Sequence, residues 1–311
     1  MNHTEQSPIV VTGAHRTGTT WVGKMLAASG EAAYISEPLN IWHRPGVFSA
    51  PTNRWYTYIC ADNEDKYLEA FRHTLSYRYH LLAEIRSLRS RKDLLRMGRD
   101  AGAFLQGRLR NQRPLLKDPF AVFSAPWFKE RLGCQIVITI RHPAAFVSSL
   151  KRLDWVFDFT DLLEQPLLMR DWLEPFRPPM EAMLKKPEDM IGQGSLLWQM
   201  VYHTVTCFQT QYPDFQVVRH EDISLDPVNG FQTLYVPLGL NFNEKAKNAI
   251  ENSSSTDNPG EVSRKAVHSY RLNSQANLHN WKKRLAPEEI QRIRTATETT
   301  TQHFYPELDW E

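Results

Sequence analysis

The segment IVVTGAHRTGTTWVGKMLAAS, residues 9–29, constrains this chain more than any other stretch. A β-branched apolar run, Ile9-Val10-Val11, breaks at Gly13, passes through His15-Arg16-Thr17-Gly18-Thr19-Thr20 and enters a pattern of helix formers. A strand, a tight loop and a helix N-terminus in that order aim converging backbone N–H groups at a tetrahedral oxyanion. Gly13 and Gly18 supply backbone angles that a residue with a Cβ resists. The spacing is that of the phosphate loop G-x-x-x-x-G-K-[ST], with Thr20 at the hydroxyl position, but Thr19 stands where the lysine belongs. A nucleoside triphosphatase needs that lysine on the β- and γ-phosphates. The cation here is Arg16, earlier in the loop. The segment predicts anion binding without the usual triphosphate chemistry.

Charge and cysteine usage narrow the partners. Lys and Arg number 37 against 35 Asp and Glu, a net charge of +2, which argues against a general nucleic-acid binder and leaves room for a local basic cleft. Cys60, Cys134 and Cys207 are too scattered for a disulfide framework or a zinc site and suit a reducing compartment. The start, MNHTEQSPIV, lacks a basic region followed by an apolar stretch, and no run of about 18 apolar residues occurs. A cytoplasmic chain without a membrane span is expected; the oligomeric state is left open.

Short apolar runs predict further strands at 32–36, ending at Glu37-Pro38, at 114–117, stopped by Pro119, at 135–140 and at 215–219. The run Gln135–Ile140 is continuous and β-branched, as in a strand buried on both faces of a parallel sheet. Helices are expected over 67–110, from Pro143, over 196–211 and after Pro287-Glu288-Glu289. Residues 1–7 read as a frayed tail, 40–60 as surface loop, 153–195 as irregular and 252–260 as a polar loop. The cation-rich RSLRSRKDLLRMGRD, within 86–100, reads as a solvated helix face. The alternation predicts one α/β domain over 1–311, a central parallel sheet flanked by helices, with ligands at the carboxyl ends of the strands.

Four further residues fall where such a sheet collects chemistry. Arg141 ends the buried strand and Ser149 follows eight residues later on the next helix, so a guanidinium and a hydroxyl can converge on one phosphate. Glu37 follows the second strand, beside the anion loop, where a carboxylate can take a proton. Lys117 ends the third and can stabilise developing negative charge.

GAHRTGTTW resembles the 5′-phosphosulfate loop, roughly [KR]-[ST]-G-[ST]-[ST], of sulfotransferases that use 3′-phosphoadenosine 5′-phosphosulfate. The Arg141…Ser149 segment is similar to their 3′-phosphate motif, R-x-P-x-x-x-x-x-S. Ser36-Glu37-Pro38-Leu39-Asn40 is similar to the F-E-P-L segments in which carbohydrate and tyrosylprotein members place a glutamate base. Small-molecule cytosolic members use a histidine in K-x-H; this chain has Lys117-Asp118-Pro119 there. The resemblance implies sulfuryl transfer from that donor to a hydroxyl, on a carbohydrate or glycosylated acceptor, with no metal. Glu37 would be the base, Asp118 the second choice, and Lys117 and Arg16 the charge stabilisers. Arg16, Thr17, Gly18, Thr19, Thr20, Arg141, Ser149 and Arg271 would hold the donor. Residues 8–30 would form the phosphosulfate loop and its helix, and 40–115 and 150–195 the acceptor-site insertions.

Weaker matches stay open. Val218-Arg219-His220-Glu221-Asp222-Ile223 is similar to V-x-Y-E-D-[LM], with His220 in place of the tyrosine that contacts adenine. Trp21 could face adenine or pack in the core, and Arg264-Lys265 compete with Arg271 for the late basic segment. His15, His43 and His203 have no spacing of a ligand set and read as surface or core residues. Two other functions remain: a magnesium-dependent P-loop kinase, against which Thr19 speaks, and a non-catalytic nucleotide-binding protein, against which Glu37 and Lys117 speak.

Overall fold

Strand β1 (Ile9–Gly13) has a partner on each side and is wholly buried, which is why its sequence is apolar on both faces. With β2 (Ala32–Ser36), β3 (Arg113–Lys117), β4 (Gln135–Ile140) and β5 (Gln216–Arg219) it forms a parallel sheet in the order β2-β3-β1-β4-β5. The computed structural model describes residues 7–42, 45–261, 269–307 and 310. Val11 lies opposite Lys117 on one side and Val137 on the other, and Ser36 lies opposite Lys117. The register therefore brings the ends of β1, β2, β3 and β4 to one edge. Strand order reverses about β1, so its loop opens at a topological switch point, where such sheets bind ligands.

Alternate side chains feed two cores, one on each face of the sheet. Val10, Leu116, Ile136 and Ile138 pack with Trp198 and Phe208, while Val11, Leu115 and Val137 pack with Trp21, Phe231 and Tyr235. Helix α1 (Thr19–Leu26) belongs to the second face. The helices Met190–Gln211 and Pro287–Phe304 pack together and on α6 (Pro143–Leu153) over the first. The expected helical stretch 67–110 is divided into α2 (Leu68–Leu75), α3 (Leu81–Ser87) and α4 (Arg91–Leu109); α5 (Ala125–Leu132) follows β3.

Three expectations are corrected. Residues 45–60 lack regular structure but are not a surface loop: Val47, Phe48, Tyr56 and Ile59 are buried in the first core, and their aromatic and aliphatic content is packing. The segment 153–195 is not irregular throughout; a helix spans Arg177–Leu184, and the next begins at Met190, where the Asp189 side chain caps it through Gly192 N at 3.0 Å. The polar loop after 252 starts later, because the helix Glu244–Ser254 runs to Ser254 and buries Ser253.

Gly13 sits at φ 141°, and a Cβ there would collide with the Thr139 carbonyl of β4. Gly133, at φ 63°, ends α5 with open space around it. Urea denaturation should show Gly13→Ala losing about 3 kcal/mol or more, from strain plus collision, and Gly133→Ala about 1 kcal/mol, from strain alone. Equal losses would contradict the close β1–β4 approach.

Candidate functional site

The loop after β1 is shaped for an anion by what it lacks. Gly18 caps α1 at φ 94°, with no side-chain cap and no acid in the first turn. The first amides of α1 thus have no partner within the helix, and the positive end of its dipole is uncompensated. A Cβ on Gly18 would stand 2.7 Å from His220 Nδ1, so the loop and His220 are fitted to each other. The Thr17 hydroxyl is fully buried, donating to Ala14 O at 2.6 Å and pairing with Thr139 Oγ1 at 2.8 Å. Thr17 can meet a ligand only through its backbone, whereas Arg16, Gly18, Thr19 and Thr20 line a cavity of about 570 Å³.

Arg16 adopts φ 70°, and its Nε donates to Ser149 Oγ on α6 at 3.2 Å. Arg141, the residue after β4, has its carbonyl held by Trp198 Nε1 at 2.8 Å and donates from Nη1 to Arg16 O at 3.4 Å. Its Nε is buried without a hydrogen-bond partner, a cost that an incoming acceptor oxygen would remove. Arg152 and Arg284 open on the same cavity and share Glu261: Arg152 Nη1 is 3.2 Å from its carboxylate, and Arg284 Nη2 is ion-paired with it. Burial, with Arg141 and Arg152 nearby, pushes Arg16 down to about 10. Burial likewise lowers Arg141, Glu221 opposing and Arg284 adding to the shift. Like charges gathered in a low-dielectric cleft favour a multiply charged anion.

The cavity has two different ends. At one, Trp21 and His220 meet edge to face at 5.7 Å beside Ser253, Tyr270 and Leu272. Trp21 serves both wall and core: it is 7% exposed, and its Nε1 donates to Ser253 Oγ at 2.8 Å. Burial, then Arg141, holds His220 well below the usual imidazole range, so the ring is neutral, and its buried Nδ1 has no partner. At the other end stand Trp42, Trp55, Phe120, Trp155 and Phe157, the last three with ring contacts to His15. His15 is pushed down to about 4 by burial and then by Arg16, and its Nδ1 lies 2.9 Å from the Tyr56 hydroxyl.

Glu37 reaches the cavity from β2. It takes φ 49°, a left-handed conformation, with its amide donating to Lys117 O at 2.7 Å. One carboxylate oxygen is ion-paired with Lys117 Nζ; the other accepts from Asn40 Nδ2 at 2.7 Å. Lys117 is 2% exposed and outside the cavity lining. Burial alone would lower its pKa, but Tyr34, Glu37 and Asp118 outweigh burial and raise it. Asp118 also lies off the cavity, with Oδ2 accepting from Leu39 N at 2.6 Å and Oδ1 from Phe120 N at 3.0 Å. Burial and then Glu37 push it up to about 7.

The site thus gathers Arg16, Gly18, Thr19, Thr20, Glu37, Arg141 and Ser149 on one cavity. It does not bring Arg271 in, which is exposed outside the lining. Arg264, Lys265 and His43 lie outside the described residues. Sequence reasoning missed Arg152, Arg284, Glu261 and the place of His15 on the cavity. Arg152 had a signal, one helical turn after Ser149; Arg284, following Trp281 in a basic run, had a weaker one. Among the described residues no group of three or more His, Cys, Asp or Glu could hold a metal ion, and no helix is long and apolar enough to cross a membrane. The arrangement can hold a polyanionic nucleotide at its basic centre and present a hydroxyl compound from the aromatic end to Glu37.

Residues 8–244 match the model of the family described as the sulfotransferase family. A search of curated proteins returns no match. Among solved structures, the chain is similar to the sulfotransferase domain of the Synechococcus PCC 7002 olefin synthase, at 16% identity over 99% of this chain and 98% of that one, with TM-score 0.47. It is also similar to the sulfotransferase STF9 from Mycobacterium avium, at 12% identity over 97% and 78%, with TM-score 0.47. The chain belongs to the sulfotransferase family.

Proposed function

We propose that this chain, as one domain over 1–311, transfers a sulfuryl group from 3′-phosphoadenosine 5′-phosphosulfate to the hydroxyl of a carbohydrate or glycosylated acceptor. The observation that carries the reading is the convergence of Arg16, Arg141 and Ser149, with the unsatisfied Arg141 Nε, on the cavity that Glu37 enters. When bound, that donor supplies an activated sulfuryl group on a phosphate leaving group. The amides of Thr17–Thr20 and the Arg16 guanidinium hold the phosphosulfate end. Arg141 and Ser149 hold the 3′-phosphate, Arg141 as the charged fork. Trp21 and His220 flank the base. Arg284, which lines the cavity, takes the closing role that Arg271 was expected to play.

Glu37 takes the acceptor proton at the oxygen turned toward Asn40. Lys117 acts through Glu37: its buried ammonium fixes the carboxylate, so that it is a positioning residue, while Arg16 stabilises charge on the donor side. Residues of 40–115 and 150–195 select the acceptor. Trp42, Trp55, Trp155 and Phe157 offer faces for sugar rings, and Asn40, Asp158 and Asp161 offer polar contacts to their hydroxyls.

Arg141→Ala should weaken binding of adenosine 3′,5′-bisphosphate by about 2–4 kcal/mol in calorimetry, because a phosphate loses its charged partner. Adenosine 5′-phosphosulfate, which lacks the 3′-phosphate, should lose far less. Equal losses would place Arg141 elsewhere on the nucleotide.

Glu37→Gln keeps size and cannot accept a proton. With an acceptor chosen from a glycan and alcohol panel, turnover should fall by roughly 10²–10⁴-fold, with affinity for adenosine 3′,5′-bisphosphate nearly unchanged. Asp118→Asn should act on stability, through the amides it caps, more than on turnover. Near-normal turnover in Glu37→Gln with a dead, folded Asp118→Asn would overturn the assignment.

A further inference from the structure

The cation-rich stretch before β3 carries an apolar face that the fold leaves uncovered. Along α4 the residues turned to the body of the protein include Asp93, Met97, Asp100, Phe104 and Gly107, recurring at helical spacing. Leu94, Leu95, Leu105 and Leu109 fall on the opposite face, at 53–76% exposure. The neighbouring α3 adds Leu81, Leu82 and Ile85, exposed by 47%, 72% and 47%. Arg96 ties the two helices, lying 3.7 Å from Glu84 of α3 and 3.2 Å from Asp93 of α4. Leucines in water over two consecutive helices are not explained by the sheet, the cavity or the reaction.

Charge identifies the occupant. Residues 81–110 hold eight Lys and Arg against three Asp and Glu, in a chain where the totals are 37 and 35. All three acids turn inward: the side chains of Glu84, Asp93 and Asp100 are 1%, 21% and 12% exposed. The outward cations flank the leucines, Lys92 and Arg99 along one side of α4 and Arg108 along the other. A leucine face bordered by cations, with its acids withdrawn, is the layout of a helix lying in the headgroup plane of an acidic bilayer. A second copy of this chain is disfavoured, since a two-fold contact would set rows of cations against each other. A rigid protein partner needs a groove matched to the leucines; fluid acyl chains need none.

We propose that the α3–α4 ridge docks this protein on anionic lipid surfaces, leucines entering the acyl boundary and the flanking Lys and Arg meeting the headgroups. The ridge is joined to the catalytic side, because the Glu84 carboxylate accepts from Gly46 N at 2.8 Å in the segment that follows Trp42. The inference does not depend on the sulfuryl-transfer reading.

Co-sedimentation of the full chain with phosphatidylcholine vesicles, with and without phosphatidylserine, tests it. Partitioning should rise about tenfold or more with phosphatidylserine and fall as salt is raised. The double variant Leu95→Ser/Leu109→Ser, at two of the most exposed leucines, should melt like the wild type and lose about tenfold or more of vesicle binding. Arg91→Ala/Lys92→Ala, a second variant at exposed positions, should lose most of the phosphatidylserine dependence. A wild type that stays off acidic vesicles would overturn the proposal and leave an acidic protein as the occupant. So would binding indifferent to both variants, or a solution dimer that the leucine variant dissociates.

Discussion

Guanidinium groups held in a half-dry cleft repel one another, and the catalytic face of this protein is organised around that repulsion. Arg16 is pressed against Ser149, Arg141 against the Arg16 carbonyl, and Arg152 and Arg284 against a single carboxylate, Glu261. Such a cluster is tolerable because the sheet fixes its members. Arg16 leaves the central strand in a left-handed turn, and Arg141 leaves its neighbour with its carbonyl pinned by a buried tryptophan. Glu261 supplies the counter-charge to two of the four guanidinium groups. A polyanion entering the cleft relieves repulsion, fills the Arg141 Nε and meets the bare N-terminus of α1 together.

The gathering of the β1 loop, Arg141 and Ser149 on one cavity was legible in the sequence because its determinants are local. Gly13, Gly18 and the hydroxyl-rich turn report one strand–loop–helix unit, and Arg141 with Ser149 reports one strand–helix junction. Parallel pairing then does the rest, since a register setting Val11 beside Lys117 and Val137 brings the strand ends together. Glu37 was legible for the same reason, as the residue after β2. Its left-handed backbone and its pairing with Lys117 were not, because they depend on the alignment of β2 with β3.

What escaped the sequence is the wall built by distant segments. Arg284 approaches from beyond the Glu244–Ser254 helix, and Glu261 reaches back to α6; no spacing rule links them. The aromatic segment 45–60 looked like loop because it has no period, and it is packed because Tyr56 and Ile59 are buried. Thr17 fitted a motif by identity, yet its hydroxyl is used to fasten the loop to β4. Periodicity reports which elements form. Tertiary packing decides which side chains are left for chemistry.

On the proposed function, the cleft takes a nucleotide bearing separate 5′ and 3′ anions and not a triphosphate with its metal. The decisive measurement is calorimetric titration of the wild-type chain with adenosine 3′,5′-bisphosphate in chelator, beside ATP with Mg²⁺. Tight, metal-independent binding of the bisphosphate and weak binding of ATP with Mg²⁺ are expected. Preference for ATP with Mg²⁺, lost on chelation, would contradict the proposed function.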